Sequence, residues 1–298
     1  MIDYTACLTR LMCDIVSRVP DMAAIDMNAV LVFARFGRSR ASGTLATCHP
    51  VDLPPSEPVH DAWRHRRTRR LERRSEWFVW RSPEVSLGGR RIRHLISFSL
   101  PRFCDQTPRD AHTRRHYGEA PSWLARLDTV VHELYHIDTE RGGIRRGIRS
   151  DGRASHRTHG PRFYARVAFL VQAYLASRPD REMYEFLAYD LRGLTSRYGG
   201  VVAMTFRMFP AFPQRYVERL DRQPDGPPVD IVSVRPGRRR TRFTERDLER
   251  RRFTGRGARR WTGRLTWPAR SAVLTRTAWP APAAYQRIRR TPTRRADQ

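Results

Sequence analysis

The chain has 298 residues, 40% of them hydrophobic and 29% charged, with 57 basic against 30 acidic side chains and a formal net charge of +27. A mean hydropathy of −0.65 leaves apolar material for one core with part of the chain unpacked, and the length suits one sizeable domain with extensions or two small ones. Every basic residue is arginine, and a surplus of this size suits either a polyanionic partner such as nucleic acid or a merely basic, solvated surface, while the short apolar runs near 29–33 and 167–171 exclude a membrane-spanning helix.

Cys7, Cys13, Cys48 and Cys104 form no C-x-x-C pair, so neither a zinc ribbon nor a redox motif is written here. The N-terminus lacks a basic segment and cleavage site, and the four thiols read as reduced cysteines of a cytoplasmic protein. Leu8, Leu11, Met12, Ile15 and Val16, set among Asp3 and Asp14, predict an amphipathic first helix. Ala29 to Phe36 reads as a buried strand ending at Gly37. Pro50, Pro54, Pro55 and Pro58 mark a loop or linker, and Arg64 to Arg74, with seven arginines, reads as an exposed helix or an insertion loop near 60–75.

A strand is expected from Trp77 to Trp80. Glu84 to Leu87, the pair Gly88-Gly89 and Arg91 to Leu100 then predict a tight hairpin. In its second arm Ile96, Phe98 and Leu100 alternate with Ser97 and Ser99, the pattern of a half-buried strand. Ser122 to Ile137 follows Pro121 as a helix with Ser122 as its cap, and Leu124, Leu127, Val131 and Leu134 make one apolar stripe. Residues 141–158 form a Gly- and Arg-rich loop, a candidate mobile rim. Pro161 opens a second helix to 177, with Phe163, Val167, Leu170 and Tyr174 along one side. Met183, Phe186 and Leu187 support a short helix carrying Glu182 and Glu185, and Val201 to Phe209 fits a strand. These elements make an α+β fold, a small antiparallel or mixed sheet packed on two helices. Residues 1–214 read as the folded domain and 215–298 as a largely disordered Arg/Pro-rich tail. That tail holds 23 arginines against 8 acids, interspersed with Trp261, Trp267, Trp279 and Tyr285.

The run His132-Glu133-Leu134-Tyr135-His136 carries the chemistry. Two histidines four apart share one helix face, on the side away from the apolar stripe, so one Zn2+ can take both while Glu133 stands beside a metal-bound water as general base. The bland alternative is an amphipathic helix whose solvent face carries these residues. A catalytic zinc site needs a third protein ligand. His159, just ahead of a helix N-terminus where the dipole keeps the ring neutral, is the first candidate; His156 and the carboxylates of Glu185, Glu182 and Glu140 are the others.

H-E-L-Y-H followed by His159-Gly160-Pro161-Arg162-Phe163 resembles the SprT-like zinc metallopeptidases, whose signature is H-E-L-x-H and then H-G-x-x-F. Residues 25–41 are similar to the opening of phage and bacterial metallopeptidases of this kind. The resemblance implies a zincin-like, minigluzincin-type domain in which His132, His136 and His159 bind Zn2+ and Glu133 is catalytic on a protein or peptide substrate. It also implies that strand 94–100 is the edge strand that aligns substrate by backbone pairing. Arg157, Tyr164 and Tyr198 are candidates to stabilise the oxyanion. The cysteine-rich ribbon often found after the domain in relatives is missing, and the Arg-rich insert is unusual, so the substrate class does not carry over.

Two other readings remain at this level. One is a basic nucleic-acid-binding protein with a structural or vestigial zinc site, acting through its Arg-rich segments. The other is a zinc-stabilised interaction module with all four positions filled by protein, and the number of open coordination positions separates it from an enzyme.

Overall fold

A computed structural model describes residues 1–39, 42–51, 84–106, 117, 121–140, 142–145, 159–207 and 242–265, and the backbone alone of 59–64, 71–81, 216–219 and 229–232. Strand β1 (Ile2–Asp3) runs directly into helix α1 (Tyr4–Arg18), because the Asp3 carboxylate accepts the Ala6 N–H at 3.1 Å and caps the helix. Tyr4, Leu8, Leu11, Met12 and Ile15 are wholly buried, so α1 lays one face on the core.

The strands β2 (Val30–Gly37), β3 (Ala46–Pro50), β4 (Val59–Arg64), β5 (Leu71–Arg81), β6 (Glu84–Leu87), β7 (Arg90–Ile92) and β8 (His94–Pro101) precede helices α2 (Ser122–Tyr135), α3 (Pro161–Ala176) and α4 (Leu191–Tyr198). Then follow β9 (Val201–Phe206), β10 (Tyr216–Arg219), β11 (Val229–Val232), β12 (Arg242–Phe243), β13 (Leu248–Thr254) and β14 (Gly257–Arg260). The fold is α+β, as expected. Among the described residues no helix is long and apolar enough to cross a membrane.

β8 is the centre of a three-stranded sheet, parallel to β2 and antiparallel to β3. All eight of its residues are buried. The expectation of a half-buried edge strand over 94–100 is therefore corrected on two counts. Ser97 and Ser99 face protein and not water: Ser97 meets His49 Nε2 at 3.2 Å and Ser99 accepts from Arg35 Nε at 3.0 Å. The edges of this sheet are β2 and β3, and β3, which lies beside helix α2, is left unassigned by the sequence reading. The predicted hairpin forms with Gly88 and Gly89 at φ of +56° and +77°, as a tight primed turn requires. Its second arm divides, however. Arg90–Ile92 pairs back on β6, and from His94 the chain passes into the sheet of β2.

A second sheet runs in the order β1-β9-β13-β14, with β13 antiparallel to β9 across six residue pairs from Leu248↔Phe206 to Phe253↔Val201. Residues 242–265 are thus no tail. Phe243 and Phe253 are 1% and 2% exposed, and Arg250 Nε reaches the buried Asp3 carboxylate at 3.4 Å. The boundary placed at 214 falls between strands of one sheet, because β9 needs a partner that arrives more than 40 residues later. The reading of 215–298 as unpacked fails for this segment, while residues 266–298 lie outside the described residues. The arginine run at 64–74 also differs from expectation: Arg64 ends β4, and Leu71 to Arg74 open β5, its antiparallel partner.

Apolar side chains of α1, α2, α3, β1, β9 and one face of β2 and β8 form the main core. Leu31, Phe33 and Leu95, on the opposite face, meet Val85, Leu87, Ile92, Phe206 and Phe243 in a second one. Burial on both faces makes the β2–β8–β3 sheet a rigid floor on which α2 rests.

Candidate metal centre

Helix α2 is positioned by its apolar side. Leu127, Val130, Val131 and Leu134 are wholly buried, which turns His132 and His136 toward an open cleft. Ser122 is the first helical residue and not the cap; Pro121 holds that position without a side-chain hydrogen bond. Buried Arg126 fixes the helix from below, donating to the carbonyls of Gln106, Leu187 and Tyr189. At the other end Arg145 closes α2. Its N–H donates to the His136 carbonyl at 2.7 Å, and its guanidinium donates to the carbonyls of Tyr135 at 3.1 Å and Ile137 at 3.3 Å. A cation there also complements the negative end of the helix dipole. The loop expected to be a mobile rim is pinned over 142–145: Ile144 bridges Ile137, and the buried His94 Nε2 lies 2.9 Å from the Gly143 carbonyl.

His159 enters from the residue before Gly160, the N-cap of α3. The three Nε2 atoms converge, at 3.0 Å for His132 to His159, 3.1 Å for His136 to His132 and 3.0 Å for His159 to His136. Tetrahedral binding at about 2.0–2.1 Å per ligand holds nitrogens roughly 3.3–3.4 Å apart, so this triangle fits a metal after an opening of a few tenths of an ångström. Burial, with His132 and His159 adding to it, drives the His136 pKa down to about 2, and burial lowers that of His159 as well. Both rings are therefore neutral ligands at physiological pH. Among the described residues these three form the one cluster close enough to hold an ion, and no fourth His, Cys, Asp or Glu joins them.

Phe163 explains the last residue of the second motif. Its ring packs against His132, His136 and His159 at centroid distances of 5.0, 4.9 and 5.1 Å, so one apolar group braces all three imidazoles. No sequence signal separated this role from that of an ordinary core position.

Glu133 follows the first ligand and is 5% exposed. Burial raises its pKa to about 8, against the opposing influence of a hydrogen bond from the Cys48 N–H and the positive charge of Arg35. One carboxyl oxygen, Oε2, is buried with no hydrogen-bond partner, and so is Nδ1 of His136. Such orphans at an otherwise satisfied site mark a place where a further group belongs.

The cleft has a volume of about 490 Å3 and is lined by the three histidines, Glu133, Thr44–Cys48, Gln106, Asp128, Thr129, Ile144 and Tyr164. The β3–β8 register, with Ser99 N–H donating to Leu45 O and Val51 N–H to Arg93 O, turns the N–H and C=O groups of Ala46 and Cys48 away from β8. They form the wall of the cleft. Tyr164, five residues after His159, stacks on its ring at 5.8 Å and 17°.

No family model, curated protein or solved structure matches this chain. The site is therefore read from its own geometry. Of the alternative ligands, Glu185 accepts from Tyr189 and pairs with Arg197 at 3.2 Å, and Glu182 and Glu140 stand outside the cluster. Tyr198 packs on Tyr189 away from the cleft, and His156 and Arg157 lie outside the described residues. Arg35, Cys48 and Arg145 are the site residues that sequence reading missed, and Phe163 stands in the second motif with no role assigned by sequence.

Proposed function

We propose that this chain is a zinc-dependent metallopeptidase that resembles the SprT-like enzymes and hydrolyses peptide bonds of a protein or peptide substrate. The observation that carries the reading is the convergence of His132, His136 and His159 through Nε2 on one wall of a cleft, with the buried carboxyl of Glu133 on the same helix. A bound Zn2+ would lower the pKa of a coordinated water toward neutrality and polarise the scissile carbonyl. Glu133 would serve as the general base toward the attacking water and as the proton donor to the leaving amine. Burial raises the carboxyl to about 8 even with Arg35 nearby, and a divalent cation held by the three histidines would draw it toward the basic form.

Substrate alignment belongs to the outward N–H and C=O of Ala46 and the C=O of Cys48 on β3, which accept an extended peptide as an added strand while the Cys48 N–H holds Glu133. That role moves there from residues 94–100. Of the two described candidates for the oxyanion, Tyr164 lines the cleft and is the donor in this reading. The lack of a fourth ligand among the described residues favours an open catalytic site over a closed structural one.

The test pairs two substitutions. Glu133→Gln keeps all three ligands, so it should retain about one zinc per chain by elemental analysis while cleavage of fluorescent casein falls by roughly two to four orders of magnitude. His136→Ala should lose both zinc and cleavage. Parent protein that cannot be loaded with zinc, or a Glu133→Gln variant as fast as the parent, rules the reading out.

A further inference from the structure

The β13–β14 ribbon carries an arrangement that its fold does not require. Arg251 stands directly opposite Arg260 and Arg252 opposite Arg259, and like charges facing each other across a strand pair destabilise it. Residues 242–265 hold nine arginines against three acids. One of those acids, Glu249, is already engaged: Arg251 pairs with it at 2.5 Å and Arg207 approaches it at 3.8 Å. Arg252, Arg256, Arg259 and Arg260 are exposed and make no ion pair among the described residues.

Alternation along the strands sorts these groups by face. Arg250, Arg252, Arg259 and Trp261 share one, since Trp261 N–H donates to Arg250 O at 2.9 Å and extends the register by one pair. Arg256 sits at the tip in a turn held by Thr254, whose hydroxyl accepts from both Arg256 N and Gly257 N. The ribbon is stiff. Phe253 anchors it in the core, and β13 is paired on both sides.

We propose that this face of the ribbon, with Arg252, Arg259 and Trp261 and with Arg256 at its tip, binds single-stranded nucleic acid. The inference goes beyond the peptidase reading and does not depend on the metal. Arg252 and Arg259 stand directly opposite each other, with Cβ atoms about 4.5–5.5 Å apart, so their long side chains can reach neighbouring phosphates of one extended strand. The half-exposed indole among them gives an unpaired base a flat surface to stack on. A lipid surface fits less well, because this face offers one aromatic ring and no apolar patch to insert. An acidic peptide would satisfy the arginines and leave Trp261 without a role.

The experiment follows fluorescence anisotropy of a labelled oligothymidine on the full chain across a salt series. Arg252→Gln/Arg259→Gln should weaken binding by about tenfold or more and reduce the salt slope by about 1.4, or 0.7 for each lost phosphate contact. Arg256→Gln alone should reduce it by about 0.7. Trp261→Leu should weaken binding about 5- to 150-fold with the slope unchanged. Because other segments are also basic, Arg178→Gln/Arg181→Gln removes the same charge from exposed positions elsewhere and should leave both quantities near the parent's. The proposal is overturned if the ribbon variants behave like that control. It is equally overturned if Trp261→Leu binds as the parent does, or if the ribbon variants lose binding to polyglutamate or to phosphatidylserine vesicles and not to oligothymidine.

Discussion

The α2–α3 helix pair and the β13–β14 strand pair are attached to the same core by different means. The helices satisfy their backbone hydrogen bonds internally, so they must be held by side chains, and each brings an apolar stripe: Leu127, Val130, Val131 and Leu134 on one, Val167, Leu170, Val171 and Tyr174 on the other. β13 brings one fully buried side chain, Phe253, in a run of seven residues that includes Arg250, Arg251 and Arg252. It is held instead by the β9 backbone, and a strand can therefore be almost wholly polar and still be part of a core sheet. An apolar stripe is the mark of an attached helix, and its absence does not mark a detached strand.

The most severe way to break this contrast is to cut the chain. Ending it at residue 240 removes β12, β13 and β14, strips β9 of one neighbour and deletes Phe243 and Phe253. Burying two phenylalanines accounts for about 3–6 kcal/mol, much of the 5–15 kcal/mol that keeps a typical domain folded. The truncated protein should show no cooperative thermal transition where the full chain shows one. A 1–240 protein with the parent's transition would restore the reading of this segment as a tail.

Metal removal probes the helix pair. Zinc at about 1,000 times its dissociation constant should stabilise the fold by about 4 kcal/mol, a gain that a chelator abolishes and His159→Ala prevents. Urea midpoints with and without zinc measure it. Equal zinc stabilisation in parent and His159→Ala would remove His159 from the ligand set.

These two regions were not equally legible. The metal site could be read because its chemistry is local: His132, Glu133 and His136 lie within five residues, and His159 precedes a helix announced by Pro161. Their helices were found for the same reason, since a 3.6-residue period is visible within one segment. β3 and β13 could not be read this way. Ala46-Thr47-Cys48-His49-Pro50 alternates apolar and polar residues over too short a run, ending in proline, to stand out, and it gains its identity from β8, about 50 residues later. Arg250-Arg251-Arg252 reads as solvated until β9 and Asp3 are brought alongside. Arg35 and Phe163 belong to the site through the same kind of distant contact.

Acidity separates the ligands from the base between them. In metal-free protein the folded-state pKa of Glu133 lies at about 8, above the unfolded value of about 4.3, so the stability tied to its neutral form is complete below that lower value. It is lost as pH rises through the window between the two, by an amount of the order of a few kcal/mol. Denaturant titrations of the chelated parent at pH 5 and pH 8 should show the loss, and chelated Glu133→Gln should show little of it. A parent as stable at pH 8 as at pH 5 would mean that the carboxyl ionises in place at no cost.

The smallest expected effect sharpens the contrast at single arginines. Arg18 bonds Asp14 at 2.8 Å one turn away on α1, with a third of its side chain exposed, and Arg250 reaches Asp3, whose side chain is 2% exposed. Water replaces the first partnership readily: an i,i+4 surface pair is worth about 0.3–0.5 kcal/mol, and Arg18→Ala should cost no more than that. The second partner cannot be replaced so easily, because Asp3 is buried among β1, α1 and β13 and also holds the Thr5 hydroxyl and the Ala6 N–H. Arg250→Ala leaves a buried carboxylate short of one donor and should cost about 1–3 kcal/mol. Measured together by urea unfolding, the pair asks whether the arginines of β13 act as anchors or as surface charge. Equal and small losses would mean that backbone pairing alone holds β13 in place, and that Arg250 belongs with the solvated arginines of the ribbon.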